Sequence, residues 1–309
     1  MTKQYIELGR RILAEGEMSF NERTGKNCLV LINADLTYDV GKGEFPLTTT
    51  RASNWKGAVA EILGYLKGFD VAGKFTELGT KTWNANAKAE WWQNSPLRLL
   101  SWQNRRAGTI GYDNPPADFM GRPYGPQLRG WRIPESLVSS GELTPVREID
   151  QLKKVYNNLK QGIDDRGEIL MMWNPGENHL GCLRPCLYGY QFSLLNGTLH
   201  LHATQRSCDV PLGLNYNQAQ VYTLLAVMAK ITGNKPGKAY HKIVNAHVYE
   251  DQLDNFKEHM TRTPSEEKPR LILPEKLSCL EDVTTWLTPD DFEVVNYHPQ
   301  EAIKYAFSV

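Results

Sequence analysis

Apolar residues recur along the chain at two spacings. Tyr5, Leu8, Ile12 and Leu13 fall on one stripe of a 3.6-residue repeat and predict an N-terminal helix. Trp55, Val59, Ile62, Leu63 and Leu66 predict a second helix, closed by Gly68. Ile149, Leu152, Tyr156 and Leu159 restore the same spacing further on, and a long apolar helix is expected over residues 217–231, stopped by Gly233. β-forming runs lie between them. Residues 29–40 read as one or two strands, 168–173 and 243–249 as one strand each, and the tail after Asp291 as another. The polar stretch 21–27, with Gly25, reads as a loop. Two β-rich runs within 187–204 flank Asn196-Gly197, the strongest short hairpin signal in the chain.

Residues 84–146 break this regularity. They hold Trp91, Trp92 and Trp102, two adjacent arginines and a Pro115-Pro116 break. A disordered linker carries fewer aromatics, so this stretch is expected to be a partly loop-built subdomain beside the core. Strands and helices interleave without a strict βαβ rhythm. That predicts an α+β fold, a mixed sheet flanked by helices, in one domain over 1–309 with an insertion at about 87–120.

Composition narrows the function. The formal net charge is +0, which gives no reason to expect nucleic acid as main partner. The five cysteines are odd in number and the chain is long, so a disulfide framework is not expected. Cys182 and Cys186 have no second Cys or His pair nearby, and no metal is expected. The N-terminus lacks an apolar signal core, and no apolar run approaches the ~20 residues that span a bilayer. A cytoplasmic protein with no membrane association is expected.

The hairpin concentrates the chemistry. With a two-residue turn at Asn196-Gly197, Cys186 faces Ser207 and Arg206 lies one step away. A thiol attacks as thiolate, and a nearby guanidinium favours that form. Strict alternation places Arg206 on the opposite face, so the two meet only if the ladder carries a bulge. The local pattern alone favours a buried, inert cysteine beside a surface arginine. Arg206 and Ser207 also suit an anion, with Arg23, Arg166 and Arg184 as further candidates. Asn217 carries both a donor and an acceptor, matching a uracil edge, though it equally suits a helix cap. Glu61 interrupts an apolar stripe, either at the border of the buried face or as a proton-transfer group. His247 and Tyr249 alternate on a strand; they suit a sugar hydroxyl, or simple core packing.

Together these pieces resemble the thymidylate synthase family. The most specific stretches are Arg184-Pro185-Cys186 and the run from Gln205-Arg206-Ser207-Cys208-Asp209 through Leu212-Gly213 to Asn217. Asn21-Glu22-Arg23-Thr24-Gly25, Phe45-Pro46-Leu47-Thr48-Thr49 and Asn245-Ala246-His247-Val248-Tyr249 support them, and 303–309 looks like the family's closing C-terminal segment. The resemblance implies that Cys186 attacks C6 of dUMP. It implies that Arg23, Arg206 and Ser207 hold the phosphate, joined by Arg166 from the second subunit of a homodimer. Asn217 and Asp209 face the pyrimidine nucleotide, and His247 and Tyr249 face the 3′-hydroxyl. Glu61 moves protons and Tyr124 assists proton removal at C5. Trp83, Asp209, Leu212, Gly213 and Val309 border 5,10-methylenetetrahydrofolate, the co-substrate. Three positions depart from the common pattern: Leu187 after the nucleophile, Gly167 after Arg166, and Asn84 after Trp83. The alternatives are a deoxyuridylate hydroxymethylase, which adds water instead of hydride, and a non-catalytic nucleotide- or RNA-binding homologue. A deoxycytidylate hydroxymethylase fits less well, because Asp in place of Asn217 better suits cytosine.

Overall fold

The computed structural model describes residues 2–103, 114–133 and 147–307. In chain order α1 (Thr2–Glu15) leads to strands β1 (Glu17–Asn21) and β2 (Lys26–Asp39), then helix α2 (Trp55–Leu66). Short helices follow: α3 (Ala72–Glu77), α4 (Asn84–Ala87), α5 (Glu90–Gln93), α6 (Pro96–Gln103) and α7 (Gly125–Arg129). Next come β3 (Trp131–Ile133), β4 (Arg147–Ile149), α8 (Gln151–Lys160) and β5 (Ile169–Met171). The hairpin strands β6 (Leu187–Leu195) and β7 (Thr198–Gln205) precede β8 (Cys208–Asp209), α9 (Asn215–Thr232) and β9 (Lys235–Tyr249). The chain continues through α10 (Leu253–Thr261), β10 (Arg270–Ile272), α11 (Leu280–Thr284) and β11 (Glu293–Val295).

The main sheet runs β1-β2-β9-β7-β6-β5, with β8 beside β9. β7 and β8 lie parallel to β9 and the other pairs are antiparallel, so the sheet is mixed, as expected. Helix α9 is apolar on nearly all sides because it is enclosed, packed between α2 and the sheet strands β7 and β9. Gly233 ends it in a left-handed conformation that a side chain disfavours. Alternation along β9 puts Ala239, His241 and Ile243 into the core, while Tyr240 and Val244 point the other way and are exposed.

Several elements differ from the pattern-based expectation. β9 begins at Lys235, well before residue 243, because Gly237, Ala239 and His241 fill inward positions and hide the apolar alternation. Ile149 ends β4, and the helix starts only after Asp150 caps it by accepting from the Lys153 amide at 2.9 Å. The expected loop 21–27 is a tight turn between β1 and β2, whose pairing extends to Asn21 and Lys26. Within the tryptophan-rich insertion, Trp92 is fully buried and its indole donates to the Phe119 carbonyl at 2.7 Å. Trp102 packs edge-on against Phe119, and Ser101 donates to the Leu180 carbonyl at 3.0 Å. The described part of the insertion thus packs on Phe119 and ties to the main body at Leu180.

Candidate active site

The hairpin carries the bulge that the site needs. From Leu195↔Thr198 to Gly189↔Thr204 the pairing follows the turn, but Leu187 pairs with Gln205, so Tyr188 is an extra residue. The slip brings Cys186 opposite Arg206, and the Arg206 amide donates to the Cys186 carbonyl at 2.8 Å. The Arg206 guanidinium is fixed from three sides. Its Nε donates to the Pro185 carbonyl at 2.9 Å, its Nη2 to the Arg184 carbonyl at 3.1 Å, and it lies 5.5 Å over the Trp173 ring. So held, Nη2 stands 3.7 Å from Cys186 Sγ, and Ser207 Oγ stands 3.9 Å from it. Cys186 lines an open cleft and is half-buried, whereas Cys28 and Cys208, which border the same cleft, are buried. Cys186 is therefore not the buried cysteine that the local pattern favoured.

This cleft, about 870 Å³, is also lined by Glu61, Trp83, Tyr124, Asp209, Leu212, Gly213, Asn217, His247 and Tyr249, and by Arg23, Arg206 and Ser207. Glu61 comes from α2 and Asn217 from the first turn of α9. The two are joined by a chain of hydrogen bonds that all point one way. Tyr38 donates to His241 Nδ1 at 2.9 Å, and His241 Nε2 donates to Gln205 Oε1 at 2.8 Å, which fixes the tautomer because an amide oxygen only accepts. Gln205 Nε2 donates to Asn217 Oδ1 at 2.9 Å, Asn217 Nδ2 to Gln220 Oε1 at 3.3 Å, and Gln220 Nε2 to Glu61 Oε2 at 2.6 Å. Tyr65 closes the chain from the other end, donating to Glu61 Oε1 at 2.8 Å. Burial pushes the Glu61 carboxyl up to about 7, against the opposing pull of the Tyr65 and Gln220 donors and of the Trp83 indole, which approaches without completing a hydrogen bond. A carboxyl so poised exchanges protons readily near neutral pH.

Tyr124 precedes α7 with φ 40 and ψ −90, a conformation that side chains rarely adopt. Its ring stacks on Tyr65 at 4.4 Å between centroids, and its hydroxyl accepts the Cys186 amide at 2.8 Å. His247 Nδ1 donates to Asn245 Oδ1 at 2.8 Å, leaving Nε2 as an acceptor, and burial pulls its pKa down to about 4. Asp209 accepts from the Leu212 amide at 3.1 Å, capping the π-helical turn Val210–Leu214 that leads into α9. It also accepts from Gln252 at 3.1 Å, and burial raises its carboxyl to about 6. Gln252 donates in turn to the Ala306 carbonyl at 2.9 Å, and Phe307 lines the cleft, so the C-terminal segment is tied to the site. Val309 lies outside the described residues.

Arg166 does not join this group in its own chain. It sits on an exposed turn with φ 69, its amide donating to Asp164 at 2.8 Å, and it is absent from the cleft lining. Arg184 and Leu187 do line the cleft; Asn84 does not. Sequence reasoning missed Tyr65, Gln205, Gln220, Gln252 and Arg51. The last is buried, donates to the Pro211 carbonyl and lies 5.0 Å over the Tyr305 ring. The spacing of Glu61 and Tyr65, four apart on one helix, is the single signal that was open to reading. Among the described residues no cluster of three or more His, Cys, Asp or Glu is placed to hold a metal ion, and no helix is long and apolar enough to cross a membrane.

A half-buried thiol beside a fixed guanidinium, in one cleft with a buried carboxyl and an oriented amide, is the set of groups that an enzyme site for covalent catalysis requires. A family model described as Thymidylate synthase matches residues 3–309. Relatives named thymidylate synthase include those of Haemophilus influenzae (strain PittGG), 55% identical over 99% of this chain and 100% of the relative, and of Photobacterium profundum, 54% identical over 99% and 100%. A third, from Shewanella sediminis (strain HAW-EB3), is 55% identical over the same shares. The chain belongs to the thymidylate synthase family, a family of methyltransferases. These relatives all carry the synthase name, so the hydroxymethylase and binding-homologue alternatives gain no support.

Proposed function

We propose that this chain converts dUMP to dTMP with 5,10-methylenetetrahydrofolate as donor, working in the cytoplasm as a homodimer. The observation that carries this reading is the Cys186 sulfur 3.7 Å from the Arg206 guanidinium, in the same cleft as Glu61 and Asn217.

The pyrimidine ring is a poor carbon nucleophile. Cys186 Sγ adds to C6, a C–S bond forms, and the electron pair of the C5–C6 double bond passes to C5 and O4. Asn217 Oδ1 accepts from N3–H and Nδ2 donates to O4, where charge develops. Glu61 passes protons at that edge, in keeping with its value of about 7. Once the C5 electron pair has bonded to the one-carbon unit, Tyr124, already fixed to the Cys186 amide, would assist loss of the C5 proton. Elimination of Cys186 then restores the ring. Arg23, Arg206 and Ser207, with Arg166 of a second copy, hold the phosphate; His247 and Tyr249 hold the 3′-hydroxyl.

The remaining cleft fits a reduced folate. The Trp83 indole N–H is buried without a partner, and Leu212 and Gly213 give an apolar wall beside the Asp209 carboxyl. When bound, the folate supplies the one-carbon unit and then hydride. The C-terminal segment tied through Gln252 excludes water from that side.

Product mass after incubation with dUMP and methylenetetrahydrofolate tests the reading. It is expected to match dTMP; hydroxymethyl-dUMP, or no product, overturns it. Cys186→Ser is expected to lower turnover by about 10³-fold or more while dUMP still binds. Near-normal turnover in that variant removes Cys186 as nucleophile.

A further inference from the structure

We propose that Tyr65 is a positioning residue for the reaction: its hydroxyl holds the Glu61 carboxylate, and its ring braces Tyr124 and through it the backbone of Cys186. The inference rests on the reading of Glu61 as the proton-transferring group.

The geometry places Tyr65 between two working groups. It follows Glu61 by four residues on α2, one turn along the same face, and its hydroxyl donates to Oε1 at 2.8 Å. Its ring stacks on Tyr124 at 4.4 Å with planes 7° apart, and the Tyr124 hydroxyl accepts the Cys186 amide at 2.8 Å. Tyr124 sits at positive φ, a backbone strain that the packing around it must hold, and its ring meets Trp83 edge-on at 5.6 Å as well as Tyr65. Tyr65 is 5% exposed and lines the cleft. One side chain thus fixes both the carboxylate and the strand end that presents the nucleophile.

The groups facing Glu61 come from every element packed around it. Tyr65 and Gln220 donate from α2 and α9, and the Trp83 indole approaches from the turn before α4. Tyr216 on α9, Tyr190 on β6 and Tyr124 before α7 are raised by burial and stay neutral. Burial disfavours the charged carboxylate and the donors favour it. Removing the Tyr65 hydroxyl deletes one donor and leaves burial in place. The carboxyl then titrates at higher pH than in the parent.

Tyr65→Phe keeps the ring and its stack and removes one oxygen. The pH profile of kcat with dUMP and methylenetetrahydrofolate is the readout. The acid limb is expected to move about one unit upward, so the rate at pH 6 falls about tenfold while the rate at pH 9 matches the parent. Tyr65→Leu removes hydroxyl and ring together, and is expected to shift the limb equally and also lower the rate at pH 9. A Tyr65→Phe profile that overlays the parent, or is lowered by one factor at all pH, overturns the hydroxyl's role. Equal rates for the two variants at pH 9 overturn the brace. Glu61→Gln is the control: an acid limb that survives there sinks the reading of Glu61 itself, separately from that of Tyr65.

Discussion

An asparagine amide reads either pyrimidine, depending on which way it is turned. Unflipped, Asn217 offers its acceptor to N3–H and its donor to O4 of uracil; flipped, it suits the reversed pattern of cytosine. The one-way chain from Tyr38 through His241 and Gln205 sets the turn, because a flipped Asn217 faces Gln205 Nε2 with its own NH₂ and Gln220 Oε1 with its oxygen. Asn217→Asp removes that one-sidedness. The ratio of kcat/KM for dUMP over dCMP is expected to fall by about tenfold or more, and an unchanged ratio withdraws Asn217 from reading the base. Asn217 was open to notice in the sequence because an amide opening a long helix is chemically suggestive. Gln205 and Gln220, though 1% and 3% exposed, were not. A neutral amide inside a strand or helix breaks no pattern strongly, and its burial becomes visible only when its partners, distant in sequence, are in place.

At the scale of elements, α2 and α9 enclose Glu61 between them, and this has a consequence for stability. Its folded value of about 7 lies above the ordinary 4.5, so between those values the folded chain binds more protons than the unfolded chain. The stability that Glu61 allows is full below pH 4.5 and is lost as pH rises through 7. Glu61→Gln relieves a burial cost of up to about 3 kcal/mol, less roughly 1 kcal/mol for a donor left facing the new NH₂. Urea unfolding is expected to show the variant more stable than its parent by about 2 kcal/mol at pH 8 and less stable by about 1 kcal/mol at pH 4. A variant less stable at both pH values contradicts the raised carboxyl. The hairpin was the element best foreseen: Asn196-Gly197 set its register, and the need for Cys186 to meet Arg206 required the bulge now seen at Tyr188. β9 was seen only in its second half, because a strand buried through Gly, Ala and His shows no apolar alternation to read. Ile149 misled for a related reason: its spacing fitted the α8 stripe, while Asp150 had already taken the cap.

At the scale of the molecule, the cleft is lined by Arg23, Arg184 and Arg206 of its own chain, while Arg166 stands elsewhere on an exposed turn. The sheet supplies a reason to expect a second copy. Tyr240 and Val244 expose apolar surface on its outer face, with His202 stacked on Tyr240 at 4.9 Å. In a two-fold pair, each copy lends the other the same group, so a defect in one role is complemented by a partner defective in another. Cys186→Ser and Arg166→Ala are each expected to be poorly active alone. Unfolded together in equal amounts and refolded, half the pairs are mixed, and each mixed pair holds one site with an intact Cys186 and an intact Arg166 from across the interface. Activity of about a quarter of the parent's is expected, and sedimentation is expected to give a dimer. If Arg166 serves its own chain, the mixed pair has no intact site, and the mixture shows only the average of the two variants.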